Sequence, residues 1–135
     1  MEFVVAGAPR SANAKARSRR RWRERVSHAA RERLTEQSGP TNQEVAVLII
    51  YFYQGDTILD VDNIAKPSLD GLKGVLFRDD QQVSELLVRK TRIMAGFSLS
   101  GASPYLLSAI ERLSRSGDDF VYVRVDPAPD HSRMP

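Results

Sequence analysis

The chain has 135 residues, 41% of them hydrophobic, and no cysteine; this fits one domain with a real core and excludes disulfides and thiolate metal sites. No apolar run approaches the ~20 residues that span a bilayer, and Met1-Glu2-Phe3-Val4 lacks the basic start and apolar core of a signal peptide, so a cytoplasmic protein without membrane contact is the expectation. The net charge of +3 is uneven: residues 1–39 carry +6 and residues 40–135 carry −3, which points to a polyanionic partner met mainly by the N-terminal third.

After a first strand, the stretch Ser11 to Ser18 has little periodicity and reads as a loop that is mobile until substrate binds. Trp22, Val26, Ala29, Ala30 and Leu34 then recur at helical spacing, so one face of a helix packs on the domain, with Trp22 as a core anchor. Arg19, Arg20, Arg21, Arg23, Arg25, Arg31 and Arg33 crowd its other faces, with only Glu24 and Glu32 among them. A solvated amphipathic helix has this form too, but the lack of balancing acids favours phosphate, which arginine grips with two donors at once. Gly39-Pro40-Thr41-Asn42 ends the helix. Val45 to Tyr53 is apolar on both faces, as in a central strand.

The most informative stretch follows: Leu59-Asp60-Val61-Asp62-Asn63-Ile64-Ala65-Lys66, then Leu76-Phe77-Arg78-Asp79-Asp80-Gln81-Gln82-Val83. Carboxylates this dense repel one another and suit a hard divalent cation. On an extended chain, residues i and i+2 share a face, so Asp60 and Asp62 can hold one ion. Ile64, Leu69, Leu72 and Leu76 predict a helix over 63–76, its regular part beginning near Pro67 because proline is tolerated only in the first turn. Lys66 then lies near the helix start beside the aspartates, a fixed charge suited to phosphate chemistry, and a return of the chain can bring Asp79 or Asp80 back to the pair. Each piece also has an ordinary reading: Asp62 or Asn63 as a helix cap, Asp79-Asp80 as a polar loop, Asp70 as a solvated helix residue.

Val83 to Met94 reads as a further strand whose Arg89, Lys90 and Arg92 either extend the basic surface or face solvent. Ser103-Pro104 starts a helix with a stripe of Tyr105, Leu106, Ala109, Ile110 and Leu113, to which no function is assigned. Phe120 to Val125 is the last strand. The domain therefore covers residues 1–126, and 127–135 form a frayed tail. His28 and His131 have no partner pattern. The order β-α-β-α-β-α-β predicts an α+β two-layer domain, a mixed sheet packed with helices; the order of strands in the sheet does not follow.

The run LDVDNIAKPSLDGLKGVLFRDDQQV resembles the RusA-type Holliday junction resolvases, the crossover junction endodeoxyribonucleases. The family's Asp-x-Asp-Asn-xx-Lys, its Leu-Asp-Ala-Leu-like helix and its Asp-Asp-xx-Val are all matched, with Gly71 where alanine is frequent; Pro9-Arg10-Ser11-Ala12-Asn13 matches its opening Pro-x-Ser-x-Asn. The resemblance spans roughly residues 3 to 95 and implies a homodimeric, Mg²⁺-dependent nuclease that cuts four-way DNA junctions in recombination and repair, with Mn²⁺ as a substitute. By matching position it makes Asp60, Asp62 and Asp80 the metal ligands and Lys66 the catalytic lysine, with Asp79 the alternative third ligand. The expected DNA contacts are Asn13, Lys15, Arg17, Arg19, Arg20, Arg21, Arg23, Arg89, Lys90 and Arg92. A junction-binding protein without catalysis, an Asp-x-Asp transferase acting on a metal–diphosphate, and an RNA-directed nuclease are the competing readings.

Overall fold

A computed structural model describes residues 1–9, 14–34, 39–57, 59–93, 99–130 and 132. Four strands, β1 (Glu2–Ala6), β2 (Val45–Tyr53), β3 (Val83–Arg92) and β4 (Phe120–Pro127), alternate with three helices, α1 (Ala16–Arg33), α2 (Val61–Leu72) and α3 (Pro104–Ser116). The α+β class, the mixed sheet and the element order are those read from the sequence.

The strands lie in the order β1-β4-β2-β3. β4 runs antiparallel to both β1 and β2, while β2 and β3 are parallel. A parallel neighbour requires a crossover, and α2 supplies it. β2 and β4 are the central strands and are buried on both faces, as the unbroken apolar run of β2 requires.

The helices divide between those faces, so α3 adds a third layer to the two expected. Val45, Val47, Ile49, Tyr51, Val121, Val123 and Val125 pack beneath α1 and α2, with Trp22, Val26, Ala30, Ile64 and Leu72. Ile50, Phe52, Phe120 and Tyr122 face the other way, under Leu106 of α3. Ser103 caps α3 by accepting from Leu106 N–H, and Gly117 ends it in the left-handed conformation. The Ser103 hydroxyl also donates to Glu2, as does the Tyr122 hydroxyl at 2.5 Å, which ties α3 to β1 and β4.

Several boundaries differ from the sequence reading, each for a physical reason. α1 begins at Ala16, inside the stretch read as a loop; its N-cap, Lys15, makes no side-chain cap bond, so no local signal marks the start. β4 continues through Pro127, which pairs with Val45, and Ala128 N–H donates to Glu44. The expected tail is thus anchored at its first two residues. β3 ends at Arg92, and Met94 lies outside the described residues.

α2 differs most. It starts at Val61 and ends at Leu72, so Pro67 sits inside it rather than in its first turn. An interior proline removes one helical hydrogen bond and costs about 3 kcal/mol. Burial offsets this, because Ile64, Pro67, Ser68, Gly71 and Leu72 form one buried stripe at spacings of three and four that lies against α1. Gly74, at φ 83°, then turns the chain out of the helix, and Gly74 N–H donates to Phe77, so Leu76 packs in the core from a turn instead of a helix.

Candidate functional site

The site is built on α2 and on the 3-10 turn Asp80–Gln82 that leads into β3. Asp60 is the N-cap residue of α2, with extended backbone and no side-chain cap bond; Asp62 lies in the first helical turn. The two therefore do not share the face of an extended strand, since β2 has ended at Tyr53. Both are exposed. A capping aspartate normally accepts from the helix's free N–H groups, and Asp60 leaves its carboxylate uncommitted to that role.

Asp79 and Asp80 are separated by what their carboxylates do. Asp79 accepts from Gln81 N–H at 2.9 Å, and the Gln82 side chain accepts from Asp79 N–H, a reciprocal cap on the 3-10 turn. Asp80 instead points one oxygen, Oδ2, at Lys66 Nζ, 3.5 Å away, while its other oxygen, Oδ1, is buried without a hydrogen-bond partner. An unpartnered buried carboxylate oxygen is costly and is a natural place for a cation.

Lys66 also donates to Asp70 at 3.0 Å, one turn further along α2. The Asp70 hydrogen bond, and then its charge, raise the Lys66 pKa above the ordinary lysine value. Asp70 is thus not simply a solvated helix residue: it steers Lys66. The Lys66–Asp70 spacing of four, visible in the sequence, is the signal that was available for it.

A hard divalent cation fits this donor set in kind: carboxylate oxygens only, one of them buried and unpartnered. Among the described residues, no three His, Cys, Asp or Glu side chains already stand together as a metal-binding group. Asp60, Asp62 and Asp80 are therefore not pre-assembled around one point.

The basic residues divide into three groups. Arg19, Arg20 and Arg23 line a cleft of about 210 Å³ between α1 and α2, together with Lys66, Pro67 and Asp70. The cleft continues along α1 past Arg20, Arg23 and Arg31. Arg25 and Arg33 serve the fold: Arg25 donates to Ala6 O and lies over Trp22, and Arg33 donates to Glu2 O at 3.0 Å and lies over the Tyr105 ring. Lys15, Arg17 and Arg21 are exposed and line neither part of the cleft. Asn13 lies outside the described residues.

The expected basic extension along β3 is split between two faces. Lys90 and Arg92 pair with Tyr51 and Tyr53 on the side of α2; Arg89 pairs with Ile50 on the side of α3. Lys90 donates to Leu59 O at 3.1 Å and Arg92 reaches Asp56 at 3.0 Å, so both hold the loop that delivers Asp60.

The close meeting of α1 and α2 decides how near the arginines come to Lys66. Trp22 Nε1–H donates to Ser68 at 3.2 Å inside the core, and the Ser27 hydroxyl donates to Gly71 O at 2.6 Å. Gly71 lets the helices approach, because a β-carbon there would stand 2.7 Å from Val26 Cβ.

A carboxylate free of its capping role, a second with one buried and unpartnered oxygen, a steered lysine and an arginine cleft sit on one side of a small mixed sheet. The model of the RusA endodeoxyribonuclease family matches residues 7–95, which take in the arginine helix, both acidic clusters and β3, and the chain belongs to that family. No curated protein matches the chain. Among the described residues, no helix is long and apolar enough to cross a membrane.

Proposed function

We propose that the chain is a Mg²⁺-dependent endodeoxyribonuclease that resolves four-way DNA junctions as a cytoplasmic homodimer in recombination and repair. The observation that carries this reading is the approach of Lys66 to Asp80, whose second oxygen is buried and unpartnered, beside the arginine-lined cleft. Membership of the family supports the nuclease class.

Asp60, Asp62 and Asp80 would hold Mg²⁺, or Mn²⁺ in its place. A cation bound there lowers the pKa of a water molecule and offsets charge on the phosphate. Lys66 places its ammonium group where charge develops on the scissile phosphate, and Asp70 keeps that group aimed. Arg19, Arg20 and Arg23 hold the backbone of the strand, fixing its orientation without reading its sequence. A C2 dimer matches the approximate two-fold symmetry of a four-way junction, with one site for each cut strand.

The test is to incubate purified protein with labelled four-way junction, linear duplex and RNA, with and without Mg²⁺. Paired cuts in the junction alone, requiring the metal, are expected. Junction binding without cleavage at any metal concentration would replace this reading with a non-catalytic binding protein, and preferential RNA cleavage with an RNA-directed nuclease.

A further inference from the structure

Asp119 precedes β4 and lies outside residues 7–95, the stretch that the family model matches. One oxygen of its carboxylate accepts from the Tyr51 hydroxyl at 2.8 Å, and the other accepts from Gln54 N–H at 3.0 Å. Its carbonyl accepts from Gly7 N–H at 2.7 Å, which ties it to the end of β1. Gln54 opens the connection from β2 to α2, the stretch that delivers Asp60. Burial, and then the Asp119 hydrogen bond, raise the Tyr51 pKa, while a hydrogen bond from Thr57 lowers it, as a hydroxyl donating to the phenol oxygen does. Thr57 Oγ1 accepts in turn from Leu59 N–H at 3.1 Å. The donors therefore all point one way, from Leu59 N–H through Thr57 and Tyr51 to a carboxylate. Bonds arranged head to tail reinforce one another, and an ionised acceptor strengthens the last of them.

We infer that Asp119 is a positioning residue for the reaction, acting through Tyr51 and Thr57 on the peptide that carries Asp60. Asp60 has no side-chain cap bond, so the helix it opens does not direct its carboxylate. That direction is inherited from Leu59, whose N–H is held by Thr57 and whose C=O is held by Lys90 of β3. A metal ligand must stay within roughly 0.5 Å of its working position, and such precision comes from the hydrogen bonds of the groups behind it.

The fold supplies its own comparison. Tyr122, as deeply buried as Tyr51, also donates to a carboxylate, that of Glu2. That network runs to Ser103 and the start of α3, on the other face of the sheet, and serves the fold. The Asp119 network differs in where it leads, since it continues into the residue before Asp60. The inference rests on the reading of Asp60 as a metal ligand given above, and its test separates the two.

Two measurements on the full chain without DNA decide it: amide exchange at Leu59 by NMR in the absence of metal, and Mn²⁺ binding by electron paramagnetic resonance. Tyr51→Phe keeps the buried ring and removes one hydroxyl. It should speed exchange at Leu59 by roughly three- to ten-fold, as for one weakened hydrogen bond. It should also raise the Mn²⁺ dissociation constant by roughly ten-fold, as loss of a group that orients a metal ligand does. Thr57→Val and Asp119→Asn should show the same losses, and Thr57→Ser, which keeps the hydroxyl, should restore both values. Tyr122→Phe should move neither. In the Asp60→Asn background, Tyr51→Phe should add no further loss of Mn²⁺ affinity, because the ligand it positions is gone. Unchanged exchange or unchanged Mn²⁺ affinity in Tyr51→Phe overturns the inference while leaving the metal site in place, and so do equal losses in Tyr122→Phe. A wild-type protein that binds no Mn²⁺ overturns the reading of the metal site and the inference with it.

Discussion

The Nζ of Lys66 lies 3.5 Å from Oδ2 of Asp80, joining the second turn of α2 to the turn that enters β3. Lys66 is 63% exposed, so this pairing adds little to stability in water. It acts through position, holding a cation beside an acidic site. Lys66→Ala should therefore leave the thermal midpoint nearly unchanged and lower the single-turnover cleavage rate by roughly ten- to a thousand-fold, the range for one electrostatic stabiliser. Normal single-turnover kinetics in this variant would make Lys66 a surface residue.

The two neighbouring aspartates of the 3-10 turn give a contrast. Asp80→Asn should abolish cleavage without loss of stability, since the native Oδ1 has no partner to lose. Asp79→Asn keeps a capping oxygen, since asparagine caps about as well as aspartate, so stability and activity should both persist. Asp60→Asn and Asp62→Asn should behave like Asp80→Asn, with junction binding retained. Urea denaturation and junction cleavage on the four variants separate the cases. An inactive Asp79→Asn beside an active Asp80→Asn would move the third ligand by one residue.

The arginines of α1 should likewise fall into two sets. Replacing Arg20 and Arg23 by alanine removes two groups from the cleft beside Lys66. The log–log salt slope of junction binding should become shallower by about 0.9 per lost phosphate contact. Replacing Arg25 and Arg33 removes donors to Ala6 O and Glu2 O and should lower stability while leaving the slope intact. Titrations of junction DNA at several salt concentrations, with a melting curve for each protein, test both halves. Equal slopes in wild type and Arg20/Arg23 variant would make the cleft a solvated face.

Strong local patterns in the sequence carried much of the fold. The apolar run of β2 and the Ser103-Pro104 start of α3 stand where the residues put them. The limits of α2 were not legible, because the proline rule is local and the burial that overrides it at Pro67 comes from α1, far away in sequence. The same holds at the site. The acidic residues could be named from their density, but that Asp79 is used as a cap while Asp80 is left open depends on the fold of one turn. The division of the arginines depends on which carbonyls and rings β1 and α3 bring near them, and no periodicity in α1 encodes that.

Alkaline pH should reveal the Glu2–Tyr122 bond. Burial, and then the hydrogen bond to Glu2, push the Tyr122 pKa up to about 12 from an ordinary value near 10. A folded-state pKa above the unfolded one stabilises the fold fully below the unfolded value, and this stabilisation is lost as pH rises through the folded value. Stability should thus fall between about pH 10 and 12, with Tyr51, also shifted upward, contributing in the same direction. Tyr122→Phe should be less stable at pH 8 and should lose less on going to pH 11. Denaturant midpoints across that range check this; parallel curves for variant and wild type would show that Tyr122 does not control the transition.

Gly71 gives the sharpest packing test. An added β-carbon would lie 2.7 Å from Val26 Cβ, 2.9 Å from Val26 Cγ1 and 2.9 Å from the Arg23 carbonyl oxygen. Two of these neighbours are fixed by the α1 backbone, so rotating a side chain cannot relieve the overlap. Alanine would raise intrinsic helix propensity by about 1 kcal/mol, but overpacking costs about 1–3 kcal/mol. The net expectation for Gly71→Ala is a loss of up to about 2 kcal/mol. Relief requires α1 to move away from α2, which would also carry Arg23 away from Lys66 and strain the Ser27–Gly71 hydrogen bond. Cleavage should therefore fall together with the melting temperature. Val26→Ala in the same chain removes the Cγ1 overlap and should recover part of both. A Gly71→Ala protein as stable and active as wild type would show that the two helices are not held at this distance in solution.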